Sequence, residues 1–494
     1  MTSATLSCSI AKQRPSIRLR TPMKKAARTN KKAQASRSLP RWPLLIAALP
    51  PLFIGWCTLS YSSDFPVWEE WDFMVEWDRY LSGGHWIQGL FESYYGHHPA
   101  FSMFLLLVLG KLTHFATKPE WALVWLLTAV VVGIYVWWLC RADRRLFLLL
   151  PIASLLMFSM RSVEVFFDGW NVSTALVFFE LQLVLSLLAI GSLTWWKLAG
   201  ALVISFLAAF TWGSGQLAFI IGAFVLSLRR PLPAKKLAAW TTMSAASLAL
   251  YWSLPSSVPW PAGSVHGWSY CRAFLLLLGN SLFETASLSP GLVMAGLISL
   301  LVVVVVIPKL ASLRDPVLLP WFGMLLFILV TLGAIIKVRV IPSEAEALVS
   351  RYAFVTSQLL LVILAILSIV CVSGEQADQR LAPAAKRWLF RAAAGCVGSA
   401  LIVAAVYGNY QMTAKIRIWQ PGLARMRIVA RQAPWCLTPE MLLGSTSNDR
   451  KALERGLAIM RRWRVGMFRP RPDVPSPPLD ESTFAKQTCN QATP

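Results

Sequence analysis

The stretch LLIAALPPLFIGWCTLSYSSDFPVWEEWDFMVEWDRYLSGGHW runs from Leu44 to Trp86. Its first part, Leu44 to Ser60, carries no charged residue. As a helix rising about 1.5 Å per residue it covers most of a bilayer's hydrocarbon core, so it reads as a membrane span. Six carboxylates and four tryptophans then follow between Asp64 and Trp86, in a chain that has only 24 acidic residues. A greasy span that opens straight into an acid-rich, aromatic segment sets both the fold class and the question of function.

The rest of the chain repeats the first half of that pattern. Hydrophobic residues make up 56% of the 494, charged ones 14%, and the mean hydropathy is +0.55. That balance excludes an ordinary soluble domain and points to an all-α polytopic membrane protein. Apolar runs bounded by Arg, Lys, Pro or Gly fit helical spans, and the alternating strands of a barrel are absent from the pattern.

The formal charge of +23 is uneven, because residues 1–43 alone hold eleven Lys or Arg and no acid. Such a tail is expected to stay cytoplasmic, against anionic lipid. It lacks the aromatic interleaving and zinc spacing of a nucleic-acid binder, so no nucleic-acid partner is expected. With a long basic region and no small-x-small site after it, the first apolar run reads as a retained anchor and not as a cleaved signal. None of the eight cysteines forms a CxxC pair. Cys436 and Cys489 lie in the polar C-terminal region, where a disulfide between them would staple the tail in an oxidising compartment.

The positive-inside rule places Arg141–Arg145, Arg229–Lys236, Lys309–Arg314 and Arg380–Arg391 in the cytoplasm. Working outward, spans are expected at 44–60, 120–140, 146–160, 173–193, 197–211, 213–228, 237–253, 290–308, 316–336, 353–372 and 392–409. Two apolar segments, 100–116 and 271–289, must then not cross. This gives about eleven spans and three parts: a basic tail (1–43), a transmembrane domain (44–409) whose first outer loop is 61–99, and a small extracytoplasmic C-terminal region (410–494). Within that last region Asp449–Trp463 reads as an amphipathic basic helix.

In the acid-rich stretch Trp68, Trp71 and Val75 recur at helical spacing, and so do Glu69, Asp72 and Glu76 on another face. An amphipathic helix lying on the outer membrane surface is expected, its tryptophans among headgroups and its acids toward water or a cavity. Other polar residues fall on the same side: His97 and His98 in YYGHHPA, Asp168 and Asn171 in VFFDGWN, Arg351 and Tyr352 in SEAEALVSRY. Ionisable groups at a membrane edge are costly and usually functional. Each also has a plainer reading: Asp168 as a helix cap, Arg351 as a snorkelling arginine or partner of Glu344 or Glu346, Gly213 and Gly215 in TWGSGQ as a tight turn.

Taken together, PVWEEWD (Pro66–Asp72), HHP (His97–Pro99), DGWN (Asp168–Asn171), TWGSGQ (Thr211–Gln216) and SRY (Ser350–Tyr352) resemble, in order and spacing, a group of bacterial integral-membrane glycosyltransferases of the GT-C superfamily. That group carries P-x-WDEWD, EHR-like, W-x-N and SRY elements. Here the leading Asp is Glu69, and the Glu and Arg of the EHR element are replaced by His97 and Pro99.

The resemblance implies a GT-C-like bundle in the bacterial inner membrane, with its N-terminus cytoplasmic and its C-terminus outside. It implies transfer of a sugar from a polyprenyl-phosphate donor to a glycan, lipid or protein acceptor. Glu69, Asp72 and Glu70 are the candidate catalytic carboxylates, one of which accepts the acceptor hydroxyl's proton. Arg351, Tyr352, His97, His98, Asp168 and Asn171 are the candidate substrate-binding residues, with Arg351 suited to the leaving phosphate. No nucleotide site is needed, and no Gly-rich phosphate loop is present. A divalent metal is an option, although adjacent histidines on a helix point about 100° apart and do not converge on one ion. A lipid-linked-glycan transporter or flippase, or a catalytically silent scaffold, are the alternatives.

Overall fold

The computed structural model describes residues 40–61, 66–67, 69–94, 96–255, 267–282, 288–293, 315–340, 347–377, 402–415, 436–443 and 449–468, with isolated positions between them. Most of the expected span at 290–308, half of the one at 392–409, most of the basic tail, Trp68, Glu344, Glu346 and Cys489 lie outside the described residues. The described chain is helical, with one isolated bridge, Tyr94 to His97, and no strand.

Helix α1 (Trp42–Tyr61) is the first apolar run. Leu44, Leu45, Leu49, Leu52, Trp56 and Leu59 are exposed, as lipid-facing side chains would be, while Ala47, Ile54 and Cys57 pack inward. Pro51 lacks the N–H that would bond to the carbonyl four residues back, that of Ala47. The Ser154 hydroxyl donates to that carbonyl at 2.6 Å, so a neighbouring helix repairs the break inside the apolar layer.

Five helices among the described residues are long and apolar enough to cross a membrane: Trp42–Ser60, Lys118–Ala142, Gly169–Ala189, Leu319–Val340 and Ser350–Val370. A sixth candidate is the pair Arg144–Met157 and Met160–Phe167, bent by 41°. The described residues therefore do not confirm the count of eleven. Two expected spans shrink to helices of 15 and 12 residues, α6 (Trp195–Ala209) and α7 (Leu217–Leu228), roughly 22 and 18 Å long against a core of about 30 Å. Helix α8 (Ala234–Ser253) has the length, but not enough apolar character for the same test.

Helix α3 (Ala100–Thr113) covers the segment expected not to cross, and its 14 residues span about 21 Å. It starts where the Phe101 N–H donates to the Phe210 carbonyl, at the C-terminal end of α6. Past its other end the His114 carbonyl accepts from Gly466 N–H, close after the C-terminal helix. Helix α9 (Gly267–Asn280), in the second non-crossing segment, is also 14 residues long.

The centre of the fold is formed by α4 (Lys118–Ala142), α5 (Val172–Ala189), α10 (Leu319–Ile335) and α11 (Ser350–Ala377). Tyr135 on α4 and Trp321 on α10 stack with ring centroids 5.4 Å apart. Tyr135 also donates to Gln358 on α11 at 2.8 Å, and Gln182 on α5 donates to the Val131 carbonyl at 3.1 Å. Small numbers of such polar contacts fix register between helices that share an apolar surround.

The acid-rich stretch forms α2 (Glu70–Leu81), and here the structure corrects the expected surface helix. Trp71 and Trp77 are fully buried in protein, and Glu70 and Glu76 are buried beside them. The cover is α12 (Arg450–Trp463), whose Ala452, Leu453, Gly456, Leu457 and Met460 form one buried face. Its N-cap is Asp449, which accepts from Lys451 and Ala452 N–H. Trp463 Nε1 donates to Asp78 at 2.7 Å, and Arg455 lies 3.7 Å from Asp72. From Trp42 onward the chain forms one compact unit, α12 included. Cys436, shortly before α12, is disulfide-bonded.

Packing of α12 on α2 requires both to lie on the same side of the membrane. Cysteines introduced at Ser82 and Glu454, in a background lacking the exposed Cys271, are expected to react with an impermeant maleimide from the same side of sealed vesicles. Reaction from opposite sides would separate the two helices.

Candidate functional site

Glu69 occupies the N-cap position of α2, and its side chain makes no capping bond. Its backbone is held instead: the carbonyl accepts from Asp72 N–H at 3.1 Å, Phe73 N–H at 3.2 Å and the Tyr94 hydroxyl at 3.3 Å. That leaves the carboxylate free to reach Arg351 Nη1, 2.5 Å away and 282 residues later in the chain. Arg351 stands in the first turn of α11, with its guanidinium 5.6 Å from the Tyr352 ring centre.

Both partners of this ion pair line a cavity of about 300 Å³. His97, Trp170, Asn171, Trp212, Gln216 and Tyr352 line it as well, so five separate stretches of sequence meet there. Val330, Ala334, Ile335 and Val338, from the last turns of the Leu319–Val340 span, give it an apolar wall. Two helices that end at the cavity have basic residues at the other end: α7 starts after Gln216 and is followed by Arg229, and α8 runs from Lys235 and Lys236 to Trp252; α5, which starts after Asn171, ends where its Leu188 carbonyl accepts from Arg229.

Local sequence explains several of these placements. His97 is presented by a turn in which Tyr94 N–H donates to the His97 carbonyl at 2.7 Å and His97 N–H to the Tyr94 carbonyl at 3.1 Å. Gly96 supplies the φ of +84° that this turn needs. Gly169 is required for another reason: a Cβ there would meet Glu120 Oε2 at 2.1 Å and Glu70 Oε1 at 2.7 Å.

The remaining candidates sort by position. Glu70 points away from the cavity; its two oxygens accept from Gly169 N–H and, at 2.8 Å, from Val67 N–H. Asp168 is fully buried and caps the next turn, accepting from Trp170 N–H at 3.0 Å and Asn171 Nδ2 at 2.9 Å. Asp72 sits 3.4 Å from the Tyr94 hydroxyl and faces Arg455. His98 is buried, its N–H donating to the Tyr251 hydroxyl at 3.1 Å and its Nδ1 bonded to the Phe91 carbonyl at 2.9 Å. A carbonyl only accepts, so Nδ1 carries the proton. Among the described residues no group of three or more His, Cys, Asp or Glu is placed to hold a metal.

Three lining groups were not read as site residues. Trp212 and Gln216 belong to the TWGSGQ motif that reads as a turn, and it is one: Gly213–Gln216 is a 3-10 turn that also forms a cavity wall. Arg339 lines the cavity too, and its sequence signal is a pair of cations, Lys337 and Arg339, directly after an apolar run.

Burial, then the charge of Glu120, pushes the Glu70 carboxyl well above the ordinary carboxylate range. Burial, then the charges of Glu70 and Glu69, does the same to Asp168. Burial also raises Asp72 and Glu76. A raised folded-state value contributes stability that is fully present at acidic pH and lost as pH climbs through it. The thermal unfolding midpoint is therefore expected to be higher at pH 5 than at pH 8 at fixed salt. Destabilisation below the ordinary range, where Asp143 loses its Arg145 partner and Glu440 the hydrogen bonds from its own backbone N–H and from Thr438, is a separate effect.

Comparison with known protein families, with curated proteins and with solved structures finds no match for this chain.

Proposed function

We propose that this protein is a glycosyltransferase that moves a sugar from a polyprenyl-phosphate donor to an acceptor at the outer face of a bacterial cytoplasmic membrane. One observation carries the reading: an acid–guanidinium pair, a histidine, an asparagine and tryptophans from five stretches converge on one cavity with an apolar wall at the end of a membrane span. An amphiphile with an anionic head fits such a site, its lipid along Val330, Ala334 and Val338 and its phosphate at Arg351.

In this reading Glu69 accepts the proton of the acceptor hydroxyl as that oxygen bonds to the anomeric carbon of the donor. The bond from that carbon to the phosphate oxygen breaks, and the polyprenyl phosphate leaves with the electron pair, its charge matched by Arg351. Trp170 and Trp212 supply apolar faces for the sugar, and Asn171 and Gln216 supply hydrogen bonds. Asp168, Glu70 and His98 hold the surrounding backbone. The outward orientation is supported by the basic loops at Arg141–Arg145 and Arg229–Lys236, which stand at the ends of helices away from the cavity.

The test is the full chain in lipid nanodiscs and in sealed vesicles with a set of radiolabelled polyprenyl-phosphate sugars. Release of polyprenyl phosphate together with sugar transfer supports the reading. Movement of the intact sugar lipid across the bilayer, with no cleavage, would replace the transferase with a flippase.

A further inference from the structure

A general base locked onto a guanidinium is a poor base, and at 2.5 Å the Glu69–Arg351 pair is locked. Resting on the transferase reading of this cavity, we infer that the pair is a latch opened by the phosphate of the lipid donor, so that the anionic lipid binds first and only then exposes the base to an acceptor.

Three features of the structure make the exchange feasible. The Glu69 backbone is anchored by three hydrogen bonds to its carbonyl, while its carboxylate pairs with Arg351 and makes no capping bond, so the side chain can turn without disturbing α2. Arg351 keeps a second carboxylate when Glu69 leaves. Glu164 lies beside it, takes a hydrogen bond from the Arg351 backbone, and through its own N–H is tied to the Ser350 hydroxyl at 3.0 Å. Both latch partners are partly open to the cavity, with side chains 19% and 24% exposed, so an incoming phosphate oxygen can take the Arg351 N–H that Glu69 gives up. No bond is broken in this step. The freed carboxylate then becomes the acceptor of the hydroxyl proton.

The latch makes Glu69 a competitor of the donor phosphate, and this is a prediction that a mere contact residue would not satisfy. Binding is followed by tryptophan fluorescence with the full chain in phosphatidylcholine nanodiscs, using farnesyl phosphate, farnesol and inorganic phosphate as probes; Trp170, Trp212 and Trp252 line the cavity and report on it. Glu69→Gln is expected to bind farnesyl phosphate about three- to tenfold tighter than the unchanged chain, the scale of a partly exposed ion pair. Farnesol is expected to bind equally to both. Glu69→Asp, which keeps the charge, is expected to show no tightening. Arg351→Gln is expected to lose the preference for farnesyl phosphate over farnesol. Inorganic phosphate, which cannot use the apolar wall, should bind more weakly than farnesyl phosphate; equal binding would make the site one for free phosphate and overturn the lipid trigger.

If Glu69→Gln binds farnesyl phosphate no tighter while Arg351→Gln still loses the preference, the latch is wrong and the phosphate subsite stands. If Arg351→Gln keeps the preference, the latch and the placement of the donor both fall. Should Glu69→Gln fail to fold, Glu69→Ser removes the same competing charge and carries the same expectation.

Discussion

Glu69→Gln is expected to lower sugar transfer by about 10² to 10⁴-fold, the usual scale for loss of a general base, while Asp72→Asn loses less than roughly tenfold. The two carboxylates stand three residues apart, on one face of a helix start, and the sequence treats them as equals. The structure separates them: Glu69 lines the cavity and meets Arg351, whereas Asp72 faces Tyr94 and Arg455 in the contact with α12. Transfer assays with purified variants at matched expression check this. Equal losses at both positions, or none at Glu69, would remove Glu69 from the chemistry. The choice of control matters. Glu76 is buried and paired with Arg79 at 3.0 Å, and Asp78 accepts from Trp463, so neither is neutral to the fold. Glu454, half exposed on α12 and paired with Arg450, is a sounder control for simple loss of surface charge.

The second large effect is structural. Trp71→Ala is expected to destabilise the α2–α12 contact by about 3–5 kcal/mol, the cost of emptying a fully buried large aromatic site. Trp71 acts there by packing, since its Nε1 has no hydrogen-bond partner among the described residues; Trp71→Phe should therefore recover most of the loss. The partner face gives a mirror test. A Cβ on Gly456 would stand 2.6 Å from the Trp71 ring, so Gly456→Leu is expected to lift α12 off α2 by overpacking. Hydrogen exchange across Arg450–Trp463 measures both: protection falls in Trp71→Ala and Gly456→Leu and is kept in Trp71→Phe. Unchanged protection in all three would mean that α12 is held elsewhere. Because Glu69 is the N-cap residue of α2, loss of this cover is also expected to reduce transfer without any change in the cavity-lining residues.

The sequence by itself determined the class of the molecule and several of the residues that line its cavity. Uncharged runs such as Leu44–Ser60 can satisfy their backbone in lipid only as helices, so composition and run length alone fix an all-α membrane protein. The short runs were harder to score: α6 and α7 are as apolar as true spans, and only their lengths in the folded chain show that neither reaches across a bilayer core by itself. The residues bordering the cavity were also legible, because Glu69, His97, Asn171 and Arg351 are polar groups at the ends of apolar runs, where burial is costly without a purpose.

What the sequence did not contain was the pairing of those ends. That Glu69 meets Arg351, 282 residues away, and that TWGSGQ is a cavity wall as well as a turn are decided by contacts between stretches far apart in the chain. The fate of α2 shows the reason most plainly. A helix with an aromatic stripe and acids looks alike whether its apolar face meets headgroups or protein, since both remove the same surface from water. Only the arrival of the buried face of α12, with Gly456 against Trp71, decides that the cover is protein.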